Sequence, residues 1–409
     1  MSLLDKKNIF AAGIFLALAG VLFFAVNGRS NENSAIPTVA VLPAPTLEPV
    51  RIPETIPVAD GALKDSIIAA GDFLVRQQLP NGELSYQVDF MTGEREYSPS
   101  HVRLMAGTGS LFTVCRISSD TKYCIAGDLA LEHYLELLVK DPENFRGTCF
   151  YTEGNCQLGG AALTVDTIYK RWQATGDFFL KDRNLLDTAV ELGYFIVSMR
   201  KPGSGFYHAF DPFFGGSVDP DFYMTFASAE SLLALTDLYE MTGNEFWLNQ
   251  AREVNAYMIS QPVTEDHYHS YALGKLARLD SLTRADRSYA EQIAQTIIAG
   301  EVRSLNSKNT SISTATKVEA LAALAQVFYL SDASYEWLEP EIRAFITFVQ
   351  ARQLPKNNCD WALAEEIITK FGGGIFSSCE EPTIRIDGLQ NWINGVTAYL
   401  EYQSMIKVK

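Results

Sequence analysis

The sequence is short of basic charge. Thirty-three Lys and Arg stand against 49 Asp and Glu, a net charge of −16. The acids are scattered rather than gathered in a tail, so they describe a soluble acidic surface. Nucleic-acid binding needs clustered cations to neutralise phosphates, and this balance argues against it. There is no Gly-rich phosphate loop following a strand, no GxSxG elbow and no zinc signature, so no cofactor or metal is expected. No DxDD-type acid cluster is present, which disfavours terpene cyclisation. No run alternates as a strand would, apart from short extended pieces between helical segments.

Cysteine is sparse, and none of the six has the CxxC spacing of a redox or zinc site. They fall as near neighbours: Cys115 with Cys124, Cys149 with Cys156, and Cys359 with Cys379. Fifteen connectivities exist for six cysteines. Sequential pairing is the simplest, each bridge clipping a short connection, and six unrelated buried thiols are the other reading. The N-terminus favours oxidation. Lys6 and Lys7 precede an uncharged apolar run at 9–26, close to the roughly 20 residues a helix needs to cross a bilayer. The basic flank keeps residues 1–8 in the cytoplasm and exports the rest, into a compartment that permits disulfides. No A-x-A site and no cysteine follow the run, so an uncleaved signal anchor is expected rather than a cleaved signal peptide or a lipoprotein. Residues 27–60 carry Pro37, Pro43, Pro45, Pro49, Pro53 and Pro57, the composition of a semi-rigid stalk.

From residue 61 to 409 the pattern is helical. The stretch 221–247, DFYMTFASAESLLALTDLYEMTGNEFW, reads as an amphipathic helix, a tight stop at Thr242-Gly243-Asn244 and the start of a second helix. The same design ends at Ala174-Thr175-Gly176-Asp177, Arg284-Ala285-Asp286, Ser331-Asp332 and Ser118-Ser119-Asp120. Besides the 221–247 stretch, helices are expected near 62–78, 101–117, 123–139, 161–175, 178–199, after Trp247 to about 259, 269–283, 287–302, 315–330, 335–353 and 385–405. Repeated helical hairpins make a solenoid or a closed ring. The apolar first and last helices both need neighbours, which favours closure. One helix of each pair then lines the centre. The long connections 81–100, 140–160, 200–222 and 354–384 gather on one face as the mouth of a cavity.

The repeat ends ATGDFFL and MTGNEFW, the helix ASAESLLALTDLYEMTGN, and the opening QQLPNGELSYQVDFMTGE followed by SPSHVRLMAGTGSLFTV resemble the six-hairpin, (α/α)6-toroid glycosidase-like enzymes. The likeness covers most of 61–405 and implies an all-α toroid. It also implies an activity on carbohydrate, since that class holds inverting glycoside hydrolases, polysaccharide lyases and sugar epimerases. No complete catalytic motif of any one family is present, so no catalytic residue is carried over.

In a toroid, chemistry sits at the mouth, near the first turns of inner helices. Inverting hydrolysis needs a carboxylic acid and a carboxylate roughly 6.5–9.5 Å apart. Glu230 lies in an apolar helix, on a stripe with Tyr223, Phe226 or Ala227, and Ala234. Desolvation there raises a carboxyl pKa toward a general acid's value; a structural carboxylate bridging helices is the alternative. Asp387 opens the last helix, with Gln390, Asn391 and Trp392 following. It is a second catalytic candidate or an N-cap. The first connection offers Tyr86, Asp89, Glu94 and Glu96, then His101 and Arg103. Arg103 could hold a substrate carboxylate in a bidentate pair or form a salt bridge to Asp89 or Glu94. The third offers Tyr207, His208, Asp211, Phe213, Phe214, Asp219 and Asp221, aromatics that stack on sugars or plug the loop. Asp219-Pro220-Asp221 is a weak calcium pattern. Glu265-Asp266-His267-Tyr268-His269 lacks a third ligand and reads as helix capping and surface. Asn309-Thr310-Ser311 is a glycosylation sequon, meaningful only in a cell that uses it. The expectation is a membrane-anchored extracytoplasmic protein acting on a polysaccharide or oligosaccharide, a hydrolase first. A lyase or epimerase, a non-catalytic glycan-binding or assembly subunit, and a toroid acting on a peptide or isoprenoid stand behind it.

Overall fold

The computed structural model describes residues 60–96, 100–201, 203, 205–211, 216–217, 219, 224–279, 282–300 and 309–408. The expected membrane span at 9–26 and the stalk before residue 60 lie outside them. So do Tyr223, Phe213, Phe214 and Asp221. No helix among the described residues is long and apolar enough to cross a membrane.

Six helices form an inner ring: α2 (His101–Ser118), α4 (Leu158–Thr175), α6 (Thr225–Thr242), α8 (His267–Arg278), α10 (Ser311–Leu330) and α13 (Ile386–Val408). Each packs on the next, and α13 packs on both α10 and α2, so the ring closes. Outside them lie α1 (Asp60–Gln77), α3 (Thr121–Leu135), α5 (Leu185–Ser198), α7 (Glu245–Met258), α9 (Arg284–Ala299) and α11 (Glu339–Gln350). A short α12 (Glu365–Phe371) sits in the last connection. The expected toroid of hairpins is present, with tight turns from inner to outer helices and long connections from outer to inner.

Local chemistry sets the tight turns. Gly176 and Gly243 end α4 and α6 with φ of 72° and 64°, where a residue with a Cβ is strained. Asn244 then caps α7 by accepting from the Phe246 amide at 3.0 Å. Asp120 caps α3 through the Lys122 amide, also at 3.0 Å. Thr283 and Asp286 form a reciprocal capping box on α9.

Three expectations need correction. The helix at 178–199 begins only at Leu185, because Phe179–Leu180 and Arg183–Asn184 pair as a small hairpin. The helix of the 221–247 stretch is not amphipathic. Residues 227–238 of α6 are all buried, since an inner helix is covered on both sides. The extended pieces are organised as sheets. Strands β1 (Gln87–Asp89), β2 (Arg95–Glu96) and β10 (Thr383–Arg385) join the first connection to the last. Strands β3 (Leu138–Lys140), β4 (Thr148–Thr152), β5 (Asn155–Gln157), β8 (Ala209–Asp211) and β9 (Gly216–Ser217) join the second to the third. The remaining two, β6 and β7, are the hairpin before α5.

The cysteines pair sequentially: Cys115–Cys124 clips α2 to α3, Cys149–Cys156 spans the β4–β5 hairpin, and Cys359–Cys379 closes the last connection. The pairing is that of an oxidised chain.

Ring closure rests on bare backbone. A Cβ at Gly395 of α13 would lie 2.8 Å from the Glu319 amide nitrogen of α10. Gly395→Ala should therefore destabilise the protein by about 1–3 kcal/mol, despite alanine's better helix propensity. Gly61→Ala on α1, with nothing within 4 Å of the new methyl, should be neutral or stabilising. Denaturant midpoints of the two variants check this.

Candidate active site

Parallel inner helices bring six first turns to one face, and the long connections stand above them. Asp266 caps α8, accepting from the Tyr268 and His269 amides at 2.9 and 3.2 Å. Thr310 caps α10 through the Ser313 amide. Ser100, Gln157 and Met224, which precede α2, α4 and α6, make no side-chain cap.

Glu230 lies one turn down α6, 8% exposed, and makes no hydrogen bond among the described residues. Its carboxyl rests over Gly159 in the first turn of α4, so closely that a Cβ at Gly159 would run into Oε2. Burial holds its pKa well above the ordinary carboxyl value. The neighbouring Asp266 and Asp166 carboxylates add to the effect, and Arg103 opposes it. Phe226, one turn earlier on the same face, is half exposed, with its ring 6.0 Å from that of His267.

Asp387 faces the same Arg103. Its Oδ2 accepts from Arg385 Nη2 at 2.5 Å and lies 3.7 Å from Arg103 Nε. Its Oδ1 takes Arg385 Nε and the Gly388 amide, each at 3.1 Å. Half-exposed Arg103 donates to the Tyr86 hydroxyl at 2.6 Å. Tyr86, Arg103 and Asp387 thus form one cluster, with Glu230 in electrostatic reach across the arginine.

The other candidates are placed elsewhere. Asp89 accepts from the Met91 and Thr92 amides and shapes the β1–β2 turn. Arg103 pairs with Asp387 and not with Asp89 or Glu94. His101 Nδ1 is 2.7 Å from Thr152 Oγ1, beside Tyr134, and burial lowers its pKa. His208 passes the α4 start, its carbonyl accepting from the Leu158 amide; burial lowers its imidazole pKa and Asp219 partly offsets this. Asp211 pairs with Gly216 in the β8–β9 ladder. Tyr207 lines a separate cleft of about 340 Å³ with Phe145, Met199 and Phe210. Trp392 is wholly buried and donates to Ser66 of α1 at 3.0 Å, which leaves no ring face for a sugar. The Asp266-to-His269 segment is the helix cap the sequence suggested but not the surface it suggested: all four residues are buried, and His269 is fixed by Asn255 at 2.9 Å.

Sequence reasoning passed over the residues beneath Glu230. Asp166 and Lys170 of α4 pair at 2.7 Å, and Lys170 reaches Asn394 of α13 at 3.5 Å. Glu319 of α10 lies 3.9 Å from His267 Nε2. Burial pushes the Glu319 carboxyl up to about 8, against Lys170 and a hydrogen bond from Asn394. Burial also pushes Asp266 up to about 6 and His267 and His269 down to about 3. The signal that singles out Glu230, a lone carboxyl in an apolar helix, is equally present in LTVDTIYK and KVEALAAL.

No protein-family model matches the chain, and no curated protein is significantly similar to it. Solved structures share its fold. A cellobiose 2-epimerase from Bacillus thermoamylovorans superposes with a TM-score of 0.60 at 11% identity, over 82% of this chain and 99% of that one. An unsaturated glucuronyl hydrolase specific for heparin gives 0.58 at 11%, over 85% and 99%. A GH76 alpha-mannanase from Bacteroides thetaiotaomicron gives 0.52 at 12%, over 86% and 98%. The fold is that of the six-hairpin glycosidase-like toroids.

Glu319 generates a test in stability. The folded state keeps its proton up to about pH 8, whereas an unfolded glutamate loses it near 4.3. The stability this proton confers is full below that lower value and is lost as pH rises toward 8. Glu319→Gln removes the dependence. Its thermal midpoint should gain on the wild type by several degrees between pH 5 and 8, measured by circular dichroism.

Proposed function

We propose that the chain is a glycoside hydrolase of the extracytoplasmic side of a membrane, acting on a cell-surface or extracellular polysaccharide. One observation carries this reading. A buried Glu230, its carboxyl pushed well above the usual range, and an arginine-paired Asp387 both feel Arg103 at the first turns of the inner helices. The neighbours of shared fold include glycoside hydrolases and sugar epimerases, which supports a carbohydrate substrate. Glu230 serves as the general acid, giving its proton to the glycosidic oxygen as the bond to the anomeric carbon breaks. Asp387 takes a proton from the water that attacks that carbon, and its arginine pairs fix its direction. Arg103 stabilises charge on whichever carboxyl is ionised as the proton passes.

The apolar run at 9–26 behind Lys6 and Lys7 supports a single membrane-spanning anchor with a cytoplasmic N-terminus. The three disulfides support an oxidising compartment. Helix α1 begins beside the C-terminal end of α13, where Asp60 pairs with Lys407 at 2.5 Å. That is the face opposite the first turns of the inner helices.

A second reading has its own support. His267 stays neutral at the mouth, 3.9 Å from Glu319, a pair suited to proton transfer next to a sugar carbonyl, as an epimerase requires.

The test is incubation of the full chain, in a detergent without a sugar headgroup, with neutral, uronic and amino-sugar polysaccharides, and product masses read by mass spectrometry. Hydrolysis predicts fragments of intact mass, with the rate lowered about 10²–10⁴-fold in Glu230→Gln. Wild-type activity should fall as pH rises through the elevated Glu230 pKa, the direction in which a general acid is lost. Fragments lighter by one water would replace hydrolysis by elimination. An isomerised reducing end with no cleavage, lost in His267→Gln, would replace it by epimerisation.

A further inference from the structure

The second and third connections leave between them the cleft of about 340 Å³ already noted at Tyr207, within the roughly 300–1,000 Å³ of small-molecule sites. Its lining is largely aromatic. Phe145 and Met199 contribute as buried residues, Tyr207 and Phe210 as half-buried ones. Phe145 packs edge-on against Phe195 of α5 and against Phe210, with centroids 5.1 and 5.7 Å apart. Lys201 Nζ lies over the Tyr207 ring, 5.1 Å from its centroid. The backbone here is fixed. The Tyr207 amide donates to the Met199 carbonyl at 2.8 Å, Arg200 and Phe206 form a bridge, and β8 pairs with β5 of the disulfide-clipped β4–β5 hairpin. A site so held loses little freedom when it is filled. Loop aromatics can plug a joint or meet a sugar. Phe145 plugs the joint with α5, while Tyr207 and Phe210 keep part of their rings exposed along the cleft.

Two polar groups on the lining are left to accept. Asn144 gives its amide to Asp141 Oδ2 at 2.7 Å, and no donor among the described residues reaches its Oδ1. Ser198 Oγ donates to the Phe195 carbonyl at 2.7 Å and keeps its lone pairs. A wholly apolar occupant would cover both oxygens without a donor. A pyranose meets both demands, since its C–H face packs on aromatic rings and its edge carries donor hydroxyls. The position fits a sugar chain as well. Tyr207 is followed by His208, whose carbonyl accepts from the Leu158 amide at 3.0 Å, and the next residue, Gly159, lies against the Glu230 carboxyl. The cleft is thus joined to Glu230 through the first turn of α4, within reach of an oligosaccharide.

We infer that this cleft is a remote subsite, holding one pyranose residue of a polysaccharide whose scissile bond lies at Glu230. Tyr207 and Phe210 are its aromatic contacts, and Asn144 and Ser198 accept from its hydroxyls. The inference rests on the carbohydrate reading above and adds chain length to the substrate requirement, since a single sugar at Glu230 leaves the cleft unused.

Affinity electrophoresis of the full chain tests it, in a detergent without a sugar headgroup, through gels holding mannan, xylan, soluble starch, polygalacturonate or hyaluronan. At least one polymer should retard the wild type. Tyr207→Ala and Phe210→Ala should each raise its dissociation constant at least tenfold, and Tyr207→Phe, which keeps the ring, less than threefold. Phe179→Ala, at an exposed aromatic of the β6–β7 hairpin, should change nothing. Circular dichroism confirms that each variant is folded. If neither alanine variant is, Asn144→Ala at its exposed position decides the question, with an expected loss of at least threefold. In the cleavage assay, Tyr207→Ala should raise the KM of that polymer at least tenfold and lower kcat less than that. Undiminished retention of the folded variants overturns the inference, and so does retention of the wild type by no polymer. Retention that depends on Tyr207, without cleavage of any polymer, keeps the subsite and removes the hydrolase. Cleavage with a KM unmoved by Tyr207→Ala keeps the hydrolase and removes the subsite.

Discussion

A ring of six helical hairpins closes only if the last inner helix fits a slot already bounded by the first and the fifth. Here α13 fits because side chains are missing where backbones meet. Gly395 faces the backbone of Glu319 on one side, and Gly107 of α2 makes room for Ile386 on the other. Once closed, the ring has no exposed end to cap. Every inner helix is flanked twice, which is why Ala, Gly, Ser and Thr recur along α2, α4, α6 and α10. The β1–β10 pairing repeats the closure above the ring, since it ties the first connection to the last.

Closure also decides where chemistry can be. Parallel inner helices present all their positive ends to one face. A carboxyl there feels two opposed influences, a helix end that favours its charge and burial that forbids it. Burial and neighbouring acids prevail at Glu230, which stands over α4 with no hydrogen bond among the described residues. At Asp387 two guanidinium groups and an amide meet the charge directly. The two carboxyls thus sit in unlike surroundings, one buried without a hydrogen bond among the described residues and the other paired with arginine.

What the sequence discloses follows the range of the forces involved. The MTGNEFW turn is legible because its glycine and its cap act within a few residues. The cysteine pairs are legible because each closes a short loop. The joining of the hairpins into sheets is not, since the pairings that connect them, β1 with β10 and β5 with β8, link residues fifty or more apart, as with Cys156 and Phe210. Trp392 reads as a mouth aromatic by its place after Asp387, yet the helix turns it onto Ser66 of α1. Asp166 and Glu319 carry the same local mark as Glu230. How far each lies beneath the mouth depends on how the helices are set against one another, and periodicity does not contain that offset.

That offset needs a cause, because surfaces of Ala and Gly are smooth and would pack in several registers. A belt of polar links supplies it at every joint of the ring. Thr167 of α4 bonds the Met105 carbonyl of α2 at 3.1 Å. The Tyr169 hydroxyl meets Glu240 between α4 and α6, and Lys275 pairs with Asp237 between α8 and α6. Arg278 reaches Gln326 of α10 at 2.8 Å, Gln326 the Ala398 carbonyl of α13 at 2.9 Å, and Arg116 of α2 reaches Glu401 of α13 at 2.9 Å. Buried charge such as the Lys275–Asp237 pair adds little net stability, because desolvation offsets attraction. Its value lies in specificity, since a slip of one helical turn would leave both charges buried and unpaired. The belt therefore fixes the height of each helix, and so the position of Glu230 and Asp387.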